Sequence, residues 1–189
     1  MNSRPQCHRS FGVLVVDDET GIRELLAEYF REEGFEVAEA SDGRAAVTAI
    51  ERDPARYGLI IADLNLPGAD GLAVLRTAKR LHPAAYVIII TGYATLDSAI
   101  QAVRLGAYDY LTKPFSMGQI GVILRRIEDR QGLEEENRLL ARQLGVRPLP
   151  PAAGSALTVD ARLAGIEERL SRIEVLLADF TSRVVARAV

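Results

Sequence analysis

The sequence predicts a five-stranded, doubly wound α/β domain followed by a helical tail. From Phe11 to about Gly118, short β-branched apolar runs alternate with segments of helical period, and three of those runs are apolar throughout. Alternation on this scale means βαβ units and a parallel sheet. Strands without a polar side are the ones that helices cover on both faces. Composition permits such a core: of 189 residues, 48% are hydrophobic and 26% charged, enough apolar surface to offset chain entropy.

In chain order the strands are expected at 12–16, 35–39, 58–62, 86–91 and 107–111, with helices at 21–33, 43–52, 72–81 and 96–105 and a fifth beginning near Ser116. The runs at 13–16, 59–62 and 87–90 have no polar position and are placed at the centre of the sheet. The run at 35–39 alternates instead, which places it at an edge. Beyond it, 132–145 is charged and Leu-rich and extends the fifth helix, although Gly121 and Gly132 each weaken it by about 1 kcal/mol relative to Ala. Pro148, Pro150 and Pro151 then break any helix and form a linker. In the last stretch Val159, Leu163, Ile166, Leu170, Ile173, Leu177, Phe180 and Val184 recur with gaps of 4, 3, 4, 3, 4, 3 and 4. That period of 3.5 is the pattern of a coiled-coil seam.

Several functions are excluded by the same inventory. No apolar run approaches the ~20 residues that cross a bilayer, so membrane insertion is not expected. A net charge of −3 gives no broad basic footprint for nucleic acid. Cys7 has no internal partner, and residues 1–8 are a polar leader without an apolar stretch; both point to a reducing cytoplasm.

In a parallel sheet of this kind, ligands bind outside the carboxyl ends of the strands. The first strand ends in Asp17-Asp18, the third in Asp63, the fourth in Thr91, and the fifth runs into Lys113-Pro114. Carboxylates held this close repel unless a cation is present. Mg²⁺ resolves the repulsion, since it takes one or two carboxylates and fills its octahedron with water and phosphate oxygens. A carboxylate beside such an ion, with a hydroxyl and an ammonium aimed at the same space, is equipped to accept a phosphoryl group. Asp63 is then the nucleophile, Asp17 and Asp18 hold the ion, and Lys113 and Thr91 meet the phosphoryl oxygens. Taken singly, each has a blander reading as a cap, turn or strand residue. Their meeting on one sheet edge does not. Glu19 and Asp70 are read as helix-capping or solvated charges, and Cys7, His8 and His82 as tail and surface-loop residues.

The ordered set Val13–Glu19, Ala62–Gly71, Thr91–Ala94 and Gly106–Phe115 resembles the receiver domain of two-component response regulators over about 110 residues. The resemblance implies the flavodoxin-like strand order 2-1-3-4-5 and a receiver spanning 11–130, between a polar tail at 1–10 and a helical extension at 131–145. A linker at 146–157 and an amphipathic coiled-coil helix at 158–187 follow. It implies that Asp63 is phosphorylated by a sensor histidine kinase or a small phosphodonor. Asp18 resembles the direct Mg²⁺ ligand, Asp17 acts through water, and Asn65 lends its backbone carbonyl. Lys113 resembles the phosphate-pairing lysine, ahead of a cis bond to Pro114. Thr91 and Tyr110 resemble the switch pair. Tyr93, two residues past Thr91, and Asn65 are expected to tune the lifetime of the phosphorylated state.

Residues 91–115 look most like receivers of the nitrogen-regulation class, and 134–140 is similar to its coiled linker. Neither a Gly-Lys-Ser/Thr phosphate loop nor a helix-turn-helix follows, so no ATPase output and no direct DNA binding are expected. The expectation is a phosphoacceptor rather than an enzyme, signalling through protein–protein contacts and its coiled-coil tail, as a homo-oligomer or with a protein partner; in the other reading of that tail, 163–184 packs back on the receiver as an extra amphipathic helix. The alternative is a phosphorelay intermediate that hands its phosphate to a histidine phosphotransfer protein.

Overall fold

The computed structural model describes residues 11–144; the N-terminal tail, the proline-rich linker and the seam from Val159 to Val184 lie outside the described residues. Among the described residues, five strands alternate with five helices: β1 (Gly12–Val16), α1 (Thr20–Glu32), β2 (Val37–Ala40), α2 (Gly43–Arg52), β3 (Tyr57–Asp63), α3 (Gly71–Leu81), β4 (Tyr86–Thr91), α4 (Leu96–Arg104), β5 (Asp109–Thr112) and α5 (Met117–Leu144). All strands are parallel, in the order β2-β1-β3-β4-β5. The chain therefore has the flavodoxin-like architecture, and the alternating strand β2 lies at an edge.

The period of two along each strand sorts the core into two layers. Leu14, Val16, Ile60, Ala62, Val87 and Ile89 face α2, α3 and α4. Val13, Val15, Leu59, Ile61, Ile88 and Ile90 face α1 and α5, where Leu26, Phe30, Ile120, Leu124 and Ile127 receive them. These twelve strand residues are at most 1% exposed, which is why no polar residue interrupts the three central strands.

Two strands begin later than the sequence pattern suggests. Phe35 precedes β2: it follows Gly34, whose φ of +86° turns the chain out of α1, and its N–H bonds the Phe30 carbonyl. Its ring packs at a tilt against Phe11 and edge-to-face against Phe30, so its apolar character serves the core rather than the ladder. Ala107 likewise belongs to the close of α4, its N–H bonding the Ala102 carbonyl after Gly106 at φ +88°; β5 starts at Asp109. His82, read as a surface-loop residue, is instead half-buried at the end of α3.

Helix α5 runs from Met117 through Gly121 and Gly132 without a break. Its first half is anchored by Ile120, Ile123, Leu124 and Ile127, at most 4% exposed. Past Ile127 it extends with Leu133, Leu139 and Leu140 exposed, and the pairs Arg130–Glu134 and Glu135–Arg138 lace its surface.

Candidate functional site

The carboxyl ends of β1, β3, β4 and β5 open on one rim, and the sequence-predicted residues meet there. Asp17 and Asp63 are buried at 2% and 5% exposure while Asp18 is exposed. One carboxylate oxygen from each lies within 4.8 Å of the others. Lys113 arrives from the end of β5, whose backbone is fixed by the Lys113 N–H bond to the Thr91 carbonyl (2.7 Å). Its bond to Pro114 is cis. The ammonium sits 2.5 Å from Asp63 Oδ2 and 3.0 Å from Asp17 Oδ2.

Local backbone geometry holds each acid in place. Asp17 Oδ1 accepts the Glu19 N–H (2.9 Å), and Asp63 Oδ1 accepts the Asn65 N–H (2.9 Å). Both are side-chain turns that pin the carboxylate at a strand end. Behind Asp17, the Arg23 guanidinium donates to its carbonyl (2.8 Å). Gly71, opening α3, comes so close to the Asp63 carbonyl that a Cβ there would overlap it. The Asp70 side chain caps α3 through the Ala73 N–H, as its capping reading required.

Glu19 departs from its expected role. It precedes α1 without a side-chain capping bond, and its Oε1 lies 2.8 Å from the Lys113 ammonium. It is therefore a further carboxylate of the site. The signal available in the sequence was its place directly after Asp17-Asp18; nothing local told it from a solvated glutamate.

Electrostatics follow from burial. Desolvation raises the Asp17 carboxyl above its ordinary value, with the Asp63 charge adding to the effect, while the Lys113 and Glu19 hydrogen bonds and the Lys113 charge pull the other way. Burial pulls the Lys113 ammonium down, but its hydrogen bonds to Asp63, Glu19 and Asp17 outweigh this and hold it above the ordinary lysine value. Three carboxylates, Asp17, Glu19 and Asp63, thus meet one ammonium, and Asp18 lies beside Asp17 and Asp63. The surplus negative charge and the all-oxygen donor set fit a hard divalent cation such as Mg²⁺.

Thr91 is fully buried, and its Oγ1 accepts from the Tyr93 N–H (3.1 Å) and Asn65 Nδ2 (3.4 Å). Tyr110, 4% exposed, points its hydroxyl at Ser98 Oγ in α4, 2.8 Å away. Burial raises its phenol above the ordinary value; the Ser98 bond counters this, the Asp63 charge adds to it, and a Thr95 backbone bond counters it again. The Tyr93 side chain is 81% exposed. Ser98 was not singled out by the sequence, because its partner lies on another element.

A doubly wound sheet with this acidic rim is the construction of a phosphoryl-accepting signalling module. Residues 13–125 match the family model described as the response regulator receiver domain. The chain belongs to the response regulator receiver domain family of two-component systems. Members of that family are phosphorylated on an aspartate, bind Mg²⁺ at an acidic pocket and act with histidine kinases or phosphotransfer proteins. It is 37% identical over 127 residues to a putative response regulator NtrX-like of Rickettsia felis, covering 66% of this chain and 26% of that protein. Thus the chain spans about a quarter of the length of the first curated relatives it matches. It is 36% identical over 108 residues to sporulation initiation phosphotransferase F of Bacillus subtilis, covering 57% of this chain and 86% of that one. Among solved structures, a response regulator receiver domain protein from Clostridium thermocellum superposes with a TM-score of 0.60 at 30% identity, over 65% of this chain and 98% of that one. Among the described residues, no helix is long and apolar enough to cross a membrane.

Proposed function

We propose that the chain is a response regulator whose phosphoacceptor is Asp63, phosphorylated by a histidine kinase. The observation that carries this reading is the meeting of Asp17, Asp18 and Asp63 within 4.8 Å, with the Lys113 ammonium on Asp17 and Asp63. A carboxylate oxygen of Asp63 attacks the phosphorus of a phosphohistidine. The P–N bond breaks as the P–O bond forms, its electron pair stays with the imidazole, and the ring takes up a proton from solvent. Asp17, Asp18, Asp63 and the Asn65 backbone carbonyl are the groups that would hold Mg²⁺, which when bound neutralises charge on the phosphoryl oxygens.

Lys113, poised on Asp63 Oδ2, shifts its hydrogen bond to a phosphoryl oxygen as the mixed anhydride forms. Thr91 turns its hydroxyl to a second oxygen, and Tyr110 completes the switch from β5. Asn65 and the exposed ring of Tyr93 flank the bond and set how fast water reaches it. In this reading the protein is a phosphoacceptor and not an enzyme with a separate substrate. It signals through protein–protein contacts and the coiled-coil tail of 158–187. Similarity to sporulation initiation phosphotransferase F over 86% of that protein favours a second reading, a relay intermediate that passes phosphate from Asp63 to a histidine phosphotransfer protein.

Incubation of the purified chain with Mg²⁺ and a small phosphodonor tests the central assignment. Acid-labile phosphate is expected on the native chain and absent in Asp63→Asn or with chelator. Equal incorporation in Asp63→Asn would overturn it. Rapid loss of that phosphate to a phosphotransfer histidine, on addition of such a protein, selects the relay.

A further inference from the structure

We propose that Arg23 is a positioning residue for Asp17 and Asp18, the two aspartates that follow β1, and that Glu39 of the edge strand β2 holds it to that task. The inference rests on the reading of Asp17, Asp18 and Asp63 as the groups that hold Mg²⁺.

Each nitrogen of the Arg23 guanidinium meets a different part of the chain. Nη1 donates to the Asp17 carbonyl (2.8 Å), Nη2 donates to Thr20 Oγ1 at the start of α1 (3.3 Å), and Nε pairs with Glu39 Oε2 (3.6 Å). The side chain is 15% exposed, so little water competes for these contacts. A guanidinium is a planar fork that reaches three partners from three separate nitrogens. A lysine ammonium is a point charge on a flexible stem and must bring its partners to one atom. Glu39 is itself steadied from the far end of α1, where Arg31 Nη2 lies 2.7 Å from its other carboxylate oxygen.

The backbone carries the effect to the acids. A peptide unit is planar, so the bond at the Asp17 carbonyl fixes the plane that leads into Asp18. The Asp17 N–H bonds the Ala40 carbonyl (3.2 Å), and its carboxylate meets the Glu19 N–H and the Lys113 ammonium. Asp17 is thus held at its side chain and on both sides of its backbone. Asp18 is exposed, and its carboxylate joins the other two from that fixed plane. β2 adds no carboxylate to the group of three, yet its last two residues, Glu39 and Ala40, grip the stretch that supplies two of them.

Charge and position make opposite predictions. A cation beside a metal site repels the metal, so by charge alone the loss of Arg23 tightens Mg²⁺ binding and a lysine in its place preserves it. For a positioning residue, both substitutions weaken binding.

Calorimetric titration of the full chain with Mg²⁺, without any phosphodonor, decides between them. Arg23→Gln and Arg23→Lys are both expected to raise the Mg²⁺ Kd about tenfold, the low end of the loss that follows removal of an outer partner of a metal site. Glu39→Gln, which leaves Arg23 in place, is expected to raise it about threefold, as an ion pair at the surface is worth. Tighter or unchanged binding in either Arg23 variant overturns the proposal, and an unchanged Kd in Glu39→Gln overturns the role of Glu39. In the metal-free chain, ¹⁵N NMR reads the clamp directly. Solvent exchange of the Glu19 amide, which bonds Asp17 Oδ1, is expected to quicken in Arg23→Lys while the amides of β3 keep their native protection. An equal loss of protection across β3 would make the effect one of overall stability and overturn the proposal. A native chain that takes up no Mg²⁺ defeats the metal reading, and this inference with it; variants that bind Mg²⁺ as well as a binding native chain defeat this inference alone.

Discussion

Lys113→Met isolates the cost of the acidic pocket. The substitution keeps most of the side-chain volume and removes the ammonium that stands 2.5 Å from Asp63, 3.0 Å from Asp17 and 2.8 Å from Glu19. Glu19 is 60% exposed on its side chain, so water screens it and its loss counts for little. Asp17 and Asp63 are 2% and 7% exposed and are left facing each other. Removing one partner of a buried pair costs ~3–5 kcal/mol. The open mouth at Asp18 places this site at the low end, about 3 kcal/mol. Urea denaturation with chelator present, at neutral pH and low salt, is the assay. The midpoint should fall with an unchanged m-value. Mg²⁺ should restore much of the deficit, because a ligand that binds only the folded state stabilises it by ~2.7 kcal/mol at a hundredfold excess over Kd. The sign with pH is fixed by the two shifts. Lys113, raised above its ordinary value, contributes stability that is intact below the unfolded lysine pKa and lost only as pH rises through the folded one. Asp17, also raised, costs stability once ionised, so the deficit of the variant should shrink on acidification, starting above the ordinary carboxylate pKa of 3.8. A deficit under ~1 kcal/mol, or one that Mg²⁺ and acid leave untouched, refutes the electrostatic reasoning.

Other substitutions probe the scaffold of the site. Asp70→Ala removes the α3 cap and should lower stability by about 1 kcal/mol without reducing phosphate incorporation, as thermal melts and phosphodonor labelling would record. Gly71→Ala should do both, because its Cβ overlaps the Asp63 carbonyl and displaces the acceptor; a variant that labels at the native rate argues against a tight rim. The Tyr110 phenol, held above 10.0 chiefly by burial, should appear in a phenolate difference titration of native chain against Tyr110→Phe as a late-ionising group. Since the unfolded chain loses that proton first, stability should fall as pH rises through the ordinary phenol value, and less so in Tyr110→Phe.

Legibility in the sequence followed the range of the interactions. The central strands were readable because burial on both faces forbids any polar position, and β2 because its edge position leaves Val37 and Ala38 half-buried and Glu39 exposed. Asp17, Asp18, Asp63, Thr91 and Lys113 were readable as one site because the topology of a parallel sheet brings strand ends together wherever they fall in the chain. Phe35 was misplaced because an apolar residue that fills a turn against Phe30 carries the same local signal as one that enters a strand. Glu19 and Ser98 were missed for a common reason: their partners, Lys113 and Tyr110, stand 94 and 12 residues away, and polar residues at helix starts look like caps whether or not a second element reaches them. The seam at 159–184, the most regular pattern in the sequence, lies outside the described residues.

Thr91 is where these two halves of the site join. Its Oγ1 already accepts from Tyr93 N–H and Asn65 Nδ2, using both lone pairs and leaving its own proton as its remaining bonding capacity. A hydroxyl in that condition has no use for another donor. A new acceptor is what it can take, and phosphoryl oxygens on Asp63 are acceptors only. Asn65 is bonded to both residues, through its backbone N–H to Asp63 and through its side chain to Thr91, so modification of the carboxylate disturbs both contacts at once. The amide that steadies the resting hydroxyl is thus tied to the atom that would be phosphorylated. On the proposed reading of Asp63 as phosphoacceptor, release of Thr91 and the offer of a new acceptor would coincide. An Asn65→Ala chain should accordingly take up phosphate yet hold Thr91 less firmly beforehand, visible as a Tyr93 amide signal already moved toward its phosphorylated position before any donor is added. A Tyr93 amide unchanged by that substitution would mean that Asn65 and Thr91 act independently.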